Sequence, residues 1–277
     1  MATQIRNADM VDLLRADFFA RNEPNASWSH AVSDHMLLPA LRGFWPMSAN
    51  HAAVGQPISY YVDDIGCDYD LAVVNNPLLR LGERGLPPTV QFAGNNYLTY
   101  GAADLQHGIL GTEANVLATQ RGLSLGGWFK FTELAGVQGL ISKWQSVISD
   151  ERAYRLYKDA THHIVFEISD DGIVSNLVQS TGTVAINTWY HCVGRFVPSR
   201  ALDVYIDAAP TTAATAMVAI HNCTEPFEIG RTDRGNYFIG EASLCWLAAS
   251  MAWDSNASTR GVIPFALFEH SKRMFNV

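Results

Sequence analysis

The sequence predicts an all-β protein, a two-sheet antiparallel sandwich, with a helical arm ahead of it and a short helix behind. Three observations carry that expectation. From Leu41 onward short apolar-alternating runs recur, separated by clusters of Gly, Asn, Asp and Pro. Hydrophobic residues make up 48% and charged ones 17% of the 277 residues, a balance that can bury a core without covalent staples. The first forty residues instead space their apolar positions as helices do.

In chain order, residues 8–21 (ADMVDLLRADFFAR) place Met10, Val11, Leu14, Phe18 and Phe19 at helical spacing, with Asp12, Arg15, Asp17 and Arg21 between them. Asn22-Glu-Pro-Asn25 stops that helix, and a second amphipathic segment from about Trp28 to Leu38 ends at Pro39. The apolar stripe of this arm, residues 1–40, must be buried on its own sandwich or on a partner chain. The sandwich itself is expected over 41–255. Its strands read as 42–47, 89–94, 96–101, 123–132, 137–144, 153–159, 163–170, 175–181, 189–197, 202–208, 226–231 and 237–249, with 250–254 as a further candidate. Asp170-Asp171-Gly172 is the clearest hairpin turn. In GGWFKF the alternation sends Phe129 and Phe131 inward and Lys130 outward. Thr211 to Val218, small and uncharged, reads as a loop or a poor strand. A tail, 256–277, carries a short helix around 264–274 with Pro264 in its first turn.

Composition excludes several function classes. A net charge of −8 without a basic stripe offers no counterion-releasing surface to nucleic acid. The N-terminal residues contain no apolar secretory core, and no uncharged apolar stretch of about 18 residues exists, so neither a signal peptide nor membrane insertion is expected. The four cysteines, Cys67, Cys192, Cys223 and Cys245, form no C-x-x-C pair and read as buried free thiols, with a Cys192–Cys245 bridge as the open alternative.

The order of motifs resembles the laminin-G-like, concanavalin A-like jelly roll of the lectin/glucanase superfamily. GFWPM (43–47) is similar to its first strand, VQFAGNNYLTY (90–100) to its Phe-x-Gly-x-x-x-Tyr-Leu step, and LSLGGWFKF (123–131) to its Trp-bearing strand. GLISKW (139–144) resembles its Leu-Val-Ser-Lys strand. INTWYHCVGRF followed by LDVYIDAAP (186–210) resembles its Asn-Thr-Trp-Tyr-His…Val-Asp-Gly pair, and FEIGR with YFIGEASLCWLA its closing pair. The resemblance spans roughly 41–255. It departs at Ala208, where the family carries Gly, at Ser243, where it carries an acid, and in the loop DDIGCDYDL (63–71), which lacks the regular Ser-Gly spacing.

The resemblance implies several chemistries. Jelly-roll glucanases carry paired carboxylates on one strand, 5–9.5 Å apart across the sugar as a rough guide. Here FEISDD offers Glu167 and GEASLCW offers Glu241, each without a second carboxylate two residues on, so no enzyme is expected. His191 and Cys192 are strand neighbours pointing to opposite faces and cannot pair as base and nucleophile. Loops of this fold often bind calcium, which makes Asp63, Asp64, Asp68 and Asp70 a candidate set of hard oxygen ligands; a solvated acidic loop is the plainer reading. No other cofactor is expected. For sugar binding the candidates are Trp144, Tyr157 and the segment GRTDRGNY, with Arg231, Asp233, Arg234, Asn236 and Tyr237, all taken as exposed. The function expected is a non-catalytic structural or interaction protein: a virion surface component (capsid decoration, tail or fibre-associated), made in a host cytoplasm. It would dock on other virion proteins or sister subunits through residues 8–38 and could bind surface glycans. A carbohydrate-binding module or lectin outside a virus, and then a glycoside hydrolase, are the alternatives.

Overall fold

The computed structural model describes residues 41–45, 47, 56, 61–62, 71–80, 89–101, 122–249 and 272. These form two antiparallel eight-stranded sheets and one small hairpin. The first sheet runs β14 (Ala209–Ala214), β13 (Ala201–Ile206), β12 (Trp189–Val197), β7 (Leu123–Phe131), β18 (Ile239–Ala249), β5 (Thr89–Ala93) and β4 (Leu78–Arg80), with β1 (Leu41–Trp45) also paired to β18. The second runs β11 (Ser175–Thr183), β10 (His163–Ser169), β9 (Glu151–Lys158), β8 (Gln138–Gln145), β15 (Phe227–Ile229), β6 (Tyr97–Tyr100), β3 (Leu71–Val74) and β2 (Tyr61–Val62). The hairpin is β16 (Arg231–Thr232) with β17 (Asn236–Tyr237).

One large core fills the space between the sheets. Phe129, Phe131, Cys192, Phe196 and Leu202 enter it from the first sheet; Tyr154, Leu156, Phe166, Ile168, Phe227 and Ile229 enter from the second. Phe238 is the hub of an aromatic group, edge-on to Phe129 and Phe131 and tilted against Phe92. The alternation read from GGWFKF therefore holds, with Phe129 and Phe131 inward. Cys192 and Cys245 are buried thiols outside any disulfide, so the open alternative of a Cys192–Cys245 bridge is not realised. Burial lifts the Cys223 thiol to about 12, which keeps it protonated and unreactive at neutral pH.

Two irregularities shape the first sheet. Leu244 has φ 47° and the β18 register shifts between Ser243 and Trp246. This bulge lets one strand serve two partners, β5 along Ile239–Ala242 and β1 along Cys245–Ala248. At the β13–β14 turn Asp207 and Ala208 both sit in the left-handed region, with φ 50° and 66°. The turn survives the loss of glycine because the Asp207 carboxylate accepts the His191 N–H at 2.8 Å and its own N–H donates to the His191 carbonyl at 2.9 Å. Its twist matches the flanking strands, as two-residue hairpins require.

INTWYHCVGRF is the start of a strand. Asn187 turns at φ 59° and donates to the Phe131 carbonyl at 2.7 Å, and Trp189 is nearly buried beneath the Lys130 ammonium. His191 stacks tilted on Trp128, 5.3 Å between centroids, on the face of the first sheet turned away from the core. Burial holds its ring at about 3, far below the ordinary 6.5. Between those values the unfolded chain binds a proton that the folded chain refuses. The contribution of this residue is complete above pH 6.5 and is lost as pH falls toward 3. His191→Phe is expected to flatten the acid limb of a stability-against-pH curve by up to about 1.4 kcal/mol per pH unit. Chemical denaturation of both proteins from pH 7 to 4 checks this, and parallel curves contradict it.

The strand expectations from residue 89 to 249 are met, within a few residues at the ends. The differences are local. Leu71, placed in the acidic loop, opens β3, and β2 and β4 are additional. Part of the 211–218 segment completes β14, and GRTDRGNY is a hairpin. The helical arm over 1–40, the loop with Asp63, Asp64, Asp68 and Asp70, Cys67 and the candidate strand 250–254 lie outside the described residues. So does the C-terminal helix apart from Lys272, which is helical.

Candidate functional site

The face of the second sheet turned away from the core carries a rung of outward side chains that is polar over all but its last member. Cross-strand pairing sets Thr99, Glu228, Ser142, Arg155, Glu167 and Leu177 side by side across six strands, β6 to β11 by way of β15, β8, β9 and β10. Period-two alternation explains the set: Leu98, Ile229, Leu156, Phe166 and Val178, each one residue away, enter the core.

The β16–β17 hairpin lies on this rung. Gly230, at φ +90°, redirects the chain out of β15, where any Cβ would strike the Phe92 ring at 2.6 Å. Gly139 lets β16 come down on β8, because a Cβ there would lie 2.4 Å from the Arg231–Thr232 backbone. The Ser142 hydroxyl then donates to the Arg231 carbonyl at 2.7 Å.

Arg155 is the centre of the inner half of the site. Its Nη1 donates to Asp233 at 2.6 Å, and its Nε and Nη2 donate to one oxygen of Glu167 at 2.8 and 2.7 Å. The other Asp233 oxygen accepts the Ser146 N–H and hydroxyl at 2.8 and 2.7 Å, while Ser175 donates to the second Glu167 oxygen at 2.5 Å. The guanidinium also stacks on Trp144 and Tyr157, 4.5 and 4.3 Å from their ring centres. Burial raises the Tyr157 hydroxyl well above its ordinary range, and the neighbouring Glu167 carboxylate pushes the same way. Trp144 and Tyr157, expected as exposed aromatics, are only 3% and 8% exposed. The reason is Arg155, which covers both rings.

The outer half is open. Arg231 makes a two-point ion pair with Glu228 and lies over the Tyr97 ring, 3.6 Å from its centre. Tyr97 and Tyr237 stand 6.2 Å apart at 48°, both half-buried. Burial raises the Glu228 carboxyl, and Arg231 pulls it back toward the charged form. Arg234 reaches Glu225 at 2.7 and 3.2 Å with its side chain 48% exposed, and Asn236 pairs with Thr232 across the hairpin. The structure thus gathers Arg231, Asp233, Arg234, Asn236 and Tyr237 on one hairpin. It adds Glu228 from β15, the strand leading into the hairpin, and Tyr97 and Arg155 from strands distant in sequence.

The carboxylates weighed for hydrolysis are separated. Glu241 belongs to the first sheet, paired to Lys130 at 2.5 Å and to the Thr89 hydroxyl at 2.8 Å. Glu167 has a second carboxylate nearby in Asp233, but Arg155 occupies the gap between them. Among the described residues no group of three or more His, Cys, Asp or Glu side chains is placed to hold a metal ion.

A laminin G-type family model, described as the concanavalin A-like lectin/glucanases superfamily, matches residues 100–242, just over half of the chain. The chain belongs to that superfamily. Among solved structures, Trypanosoma rangeli sialidase in complex with sialic acid is similar at 17% identity and TM-score 0.59, covering 96% of this chain and 39% of that one. The chain therefore spans about two fifths of that sialidase's length. Botulinum neurotoxin type C, whose cell entry depends upon interaction with two ganglioside molecules, is similar at 10% identity and TM-score 0.51, covering 84% and 51%. The binding domain of botulinum neurotoxin DC in complex with SialylT is similar at 9% identity and TM-score 0.52, covering 84% and 51%. At such identities the likeness is one of fold. No curated protein sequence matches the chain.

Proposed function

We propose that this chain is a non-catalytic glycan-binding sandwich whose binding surface is the outer half of the site, Tyr97, Tyr237, Arg231, Arg234 and Asn236. The observation that carries the reading is the pair of half-buried tyrosine rings 6.2 Å apart, with Arg231 fixed over one of them by Glu228. Sugars present apolar C–H faces and a rim of hydroxyls, and a few aromatic planes beside pre-oriented polar groups match that surface. Membership of a lectin/glucanase superfamily and the glycan ligands of the similar structures support the same reading. The absence of catalysis is supported by the Arg155 guanidinium. It fills the space where a glycosidase must admit the sugar and its water between two carboxylates.

The finer setting we propose is the surface of a virion, as a capsid decoration, tail or fibre-associated component. Its support is the amphipathic pattern of residues 8–38, suited to docking on sister subunits or other virion proteins.

A glycan array followed by titration calorimetry tests the binding. The expected result is selective binding of an oligosaccharide that Tyr97→Ala or Tyr237→Ala weakens about tenfold or more, with the oligosaccharide intact by mass spectrometry after incubation. A blank array, or binding indifferent to both tyrosines, contradicts the proposal. Cleavage that Glu167→Gln abolishes would make the chain a hydrolase.

A further inference from the structure

Two neighbouring loop tips carry exposed aliphatic side chains. The β8–β9 connection bears Val147 and Ile148, the β10–β11 connection bears Ile173 and Val174, and all four are 54–77% exposed. The loops touch: a Cβ on Gly172 would lie 2.5 Å from the Asp150 carbonyl oxygen, and Arg152 donates to the Ile173 carbonyl. Leu177, on the outward face of β11 just behind the second tip, is half exposed.

The N–H groups of all four aliphatic tip residues, and the carbonyls of Ile173 and Val174, already have partners within the loops. The Val147 and Ile148 N–H groups donate to the Gln145 side-chain oxygen at 2.7 and 3.3 Å. Those of Ile173 and Val174 donate to one Asp171 carboxylate oxygen at 2.8 and 2.7 Å. The Val174 carbonyl accepts the Ser169 hydroxyl at 2.6 Å. A loop entering a medium without hydrogen-bonding partners needs this, because each unsatisfied backbone group there is costly. A protein partner would supply such bonds across the interface, and its energetic anchors are typically Trp, Tyr and Arg rather than β-branched aliphatics.

We propose that these two tips seat in the headgroup–acyl boundary of a lipid bilayer. No helix among the described residues is long and apolar enough to cross a membrane, and the expectation of no membrane insertion considered spanning segments alone. Loop tips are a separate, peripheral route to the same surface. Asp150, Glu151, Asp170 and Asp171 flank the tips against the single cation Arg152, so the fitting surface is zwitterionic rather than anionic. The tips use residues separate from the glycan surface. They connect to it through Ser146, whose N–H and hydroxyl hold Asp233, so a seated tip brings the β16–β17 hairpin close to the bilayer.

Flotation with phosphatidylcholine vesicles tests this, using the full chain and the variants Val147→Ser/Ile148→Ser and Ile173→Ser/Val174→Ser. The wild type is expected to float, and each variant to partition about tenfold less with an unchanged Tm. Brominated acyl chains are expected to quench an Ile148→Trp reporter. Absence of flotation, equal flotation of the variants, an unquenched reporter, or binding that rises with phosphatidylserine content overturns the proposal. Tip-dependent self-association in light scattering without vesicle binding also overturns it and assigns the tips to a second copy of the chain.

Discussion

Arg155→Met is expected to lower the stability of the sandwich by about 3–5 kcal/mol, because it strands two buried carboxylates. Glu167 and Asp233 have side chains only 6% and 8% exposed, and the same guanidinium holds both. Methionine restores the apolar stem over Trp144 and Tyr157 but none of the hydrogen bonds. For a domain of this size the loss corresponds to roughly 10–15 °C in Tm. Neutralising the stranded acids, in Arg155→Met/Glu167→Gln/Asp233→Asn, is expected to recover most of it, since no unpaired charge is left buried. Arg155→Lys keeps the charge but loses the planar fork, so it falls between wild type and methionine. Thermal and urea unfolding of the four proteins measures this. A methionine variant within about 0.5 kcal/mol of wild type would mean that the cluster behaves as an ordinary surface ion pair.

The second large effect lies on the other sheet. Arg195 and Asp203 face each other across β12 and β13, with two guanidinium nitrogens on one carboxylate oxygen at 2.9 and 2.7 Å. The Thr212 hydroxyl donates to the other oxygen at 2.5 Å, and the two side chains are 3% and 0% exposed. Asp203→Asn keeps the shape and removes the carboxylate charge paired with the buried Arg195, and is expected to cost about 3–5 kcal/mol. Replacing both partners, Arg195→Met/Asp203→Leu, is expected to be close to neutral, because desolvating two ions offsets most of their attraction. The comparison separates stability from function. Asp203→Asn should leave glycan binding unchanged at temperatures where it is folded, whereas Arg155→Met should weaken it by loosening the hairpin that carries Arg231 and Tyr237. Equal losses of binding in both would mean that only global stability was being read.

Alternation carried most of the fold. Runs such as LSLGGWFKF and WYHCVGRFV have a period of two that survives in the observed core, where Phe129, Phe131, Cys192 and Phe196 all point inward. The short strands β2, β3 and β4 escaped because two to four residues hold too little periodicity to stand out beside an acidic loop. The candidate site was half legible. Arg231, Asp233, Arg234, Asn236 and Tyr237 are contiguous, and a polar segment between two apolar strands must be surface. Arg155 and Tyr97 meet them only through the register of β9 and β6, and register is a property of the assembled sheet, whereas Glu228 stands just three residues before Arg231. For the same reason Trp144 read as exposed: the cation that covers it stands eleven residues away in sequence and directly beside it in space. The aliphatic tips do carry a sequence signal, since QSVISD and DDGIV each set an apolar pair inside a turn, where polar residues are the norm.

Hydrogen–deuterium exchange with the best-binding oligosaccharide tests the central claim most directly, because it reports where the ligand sits. The expected result is protection confined to peptides covering 97–99 and 231–237, absent in Tyr97→Ala/Tyr237→Ala. Protection on the first sheet, on the 63–70 loop, or on no part of the β16–β17 hairpin would contradict it.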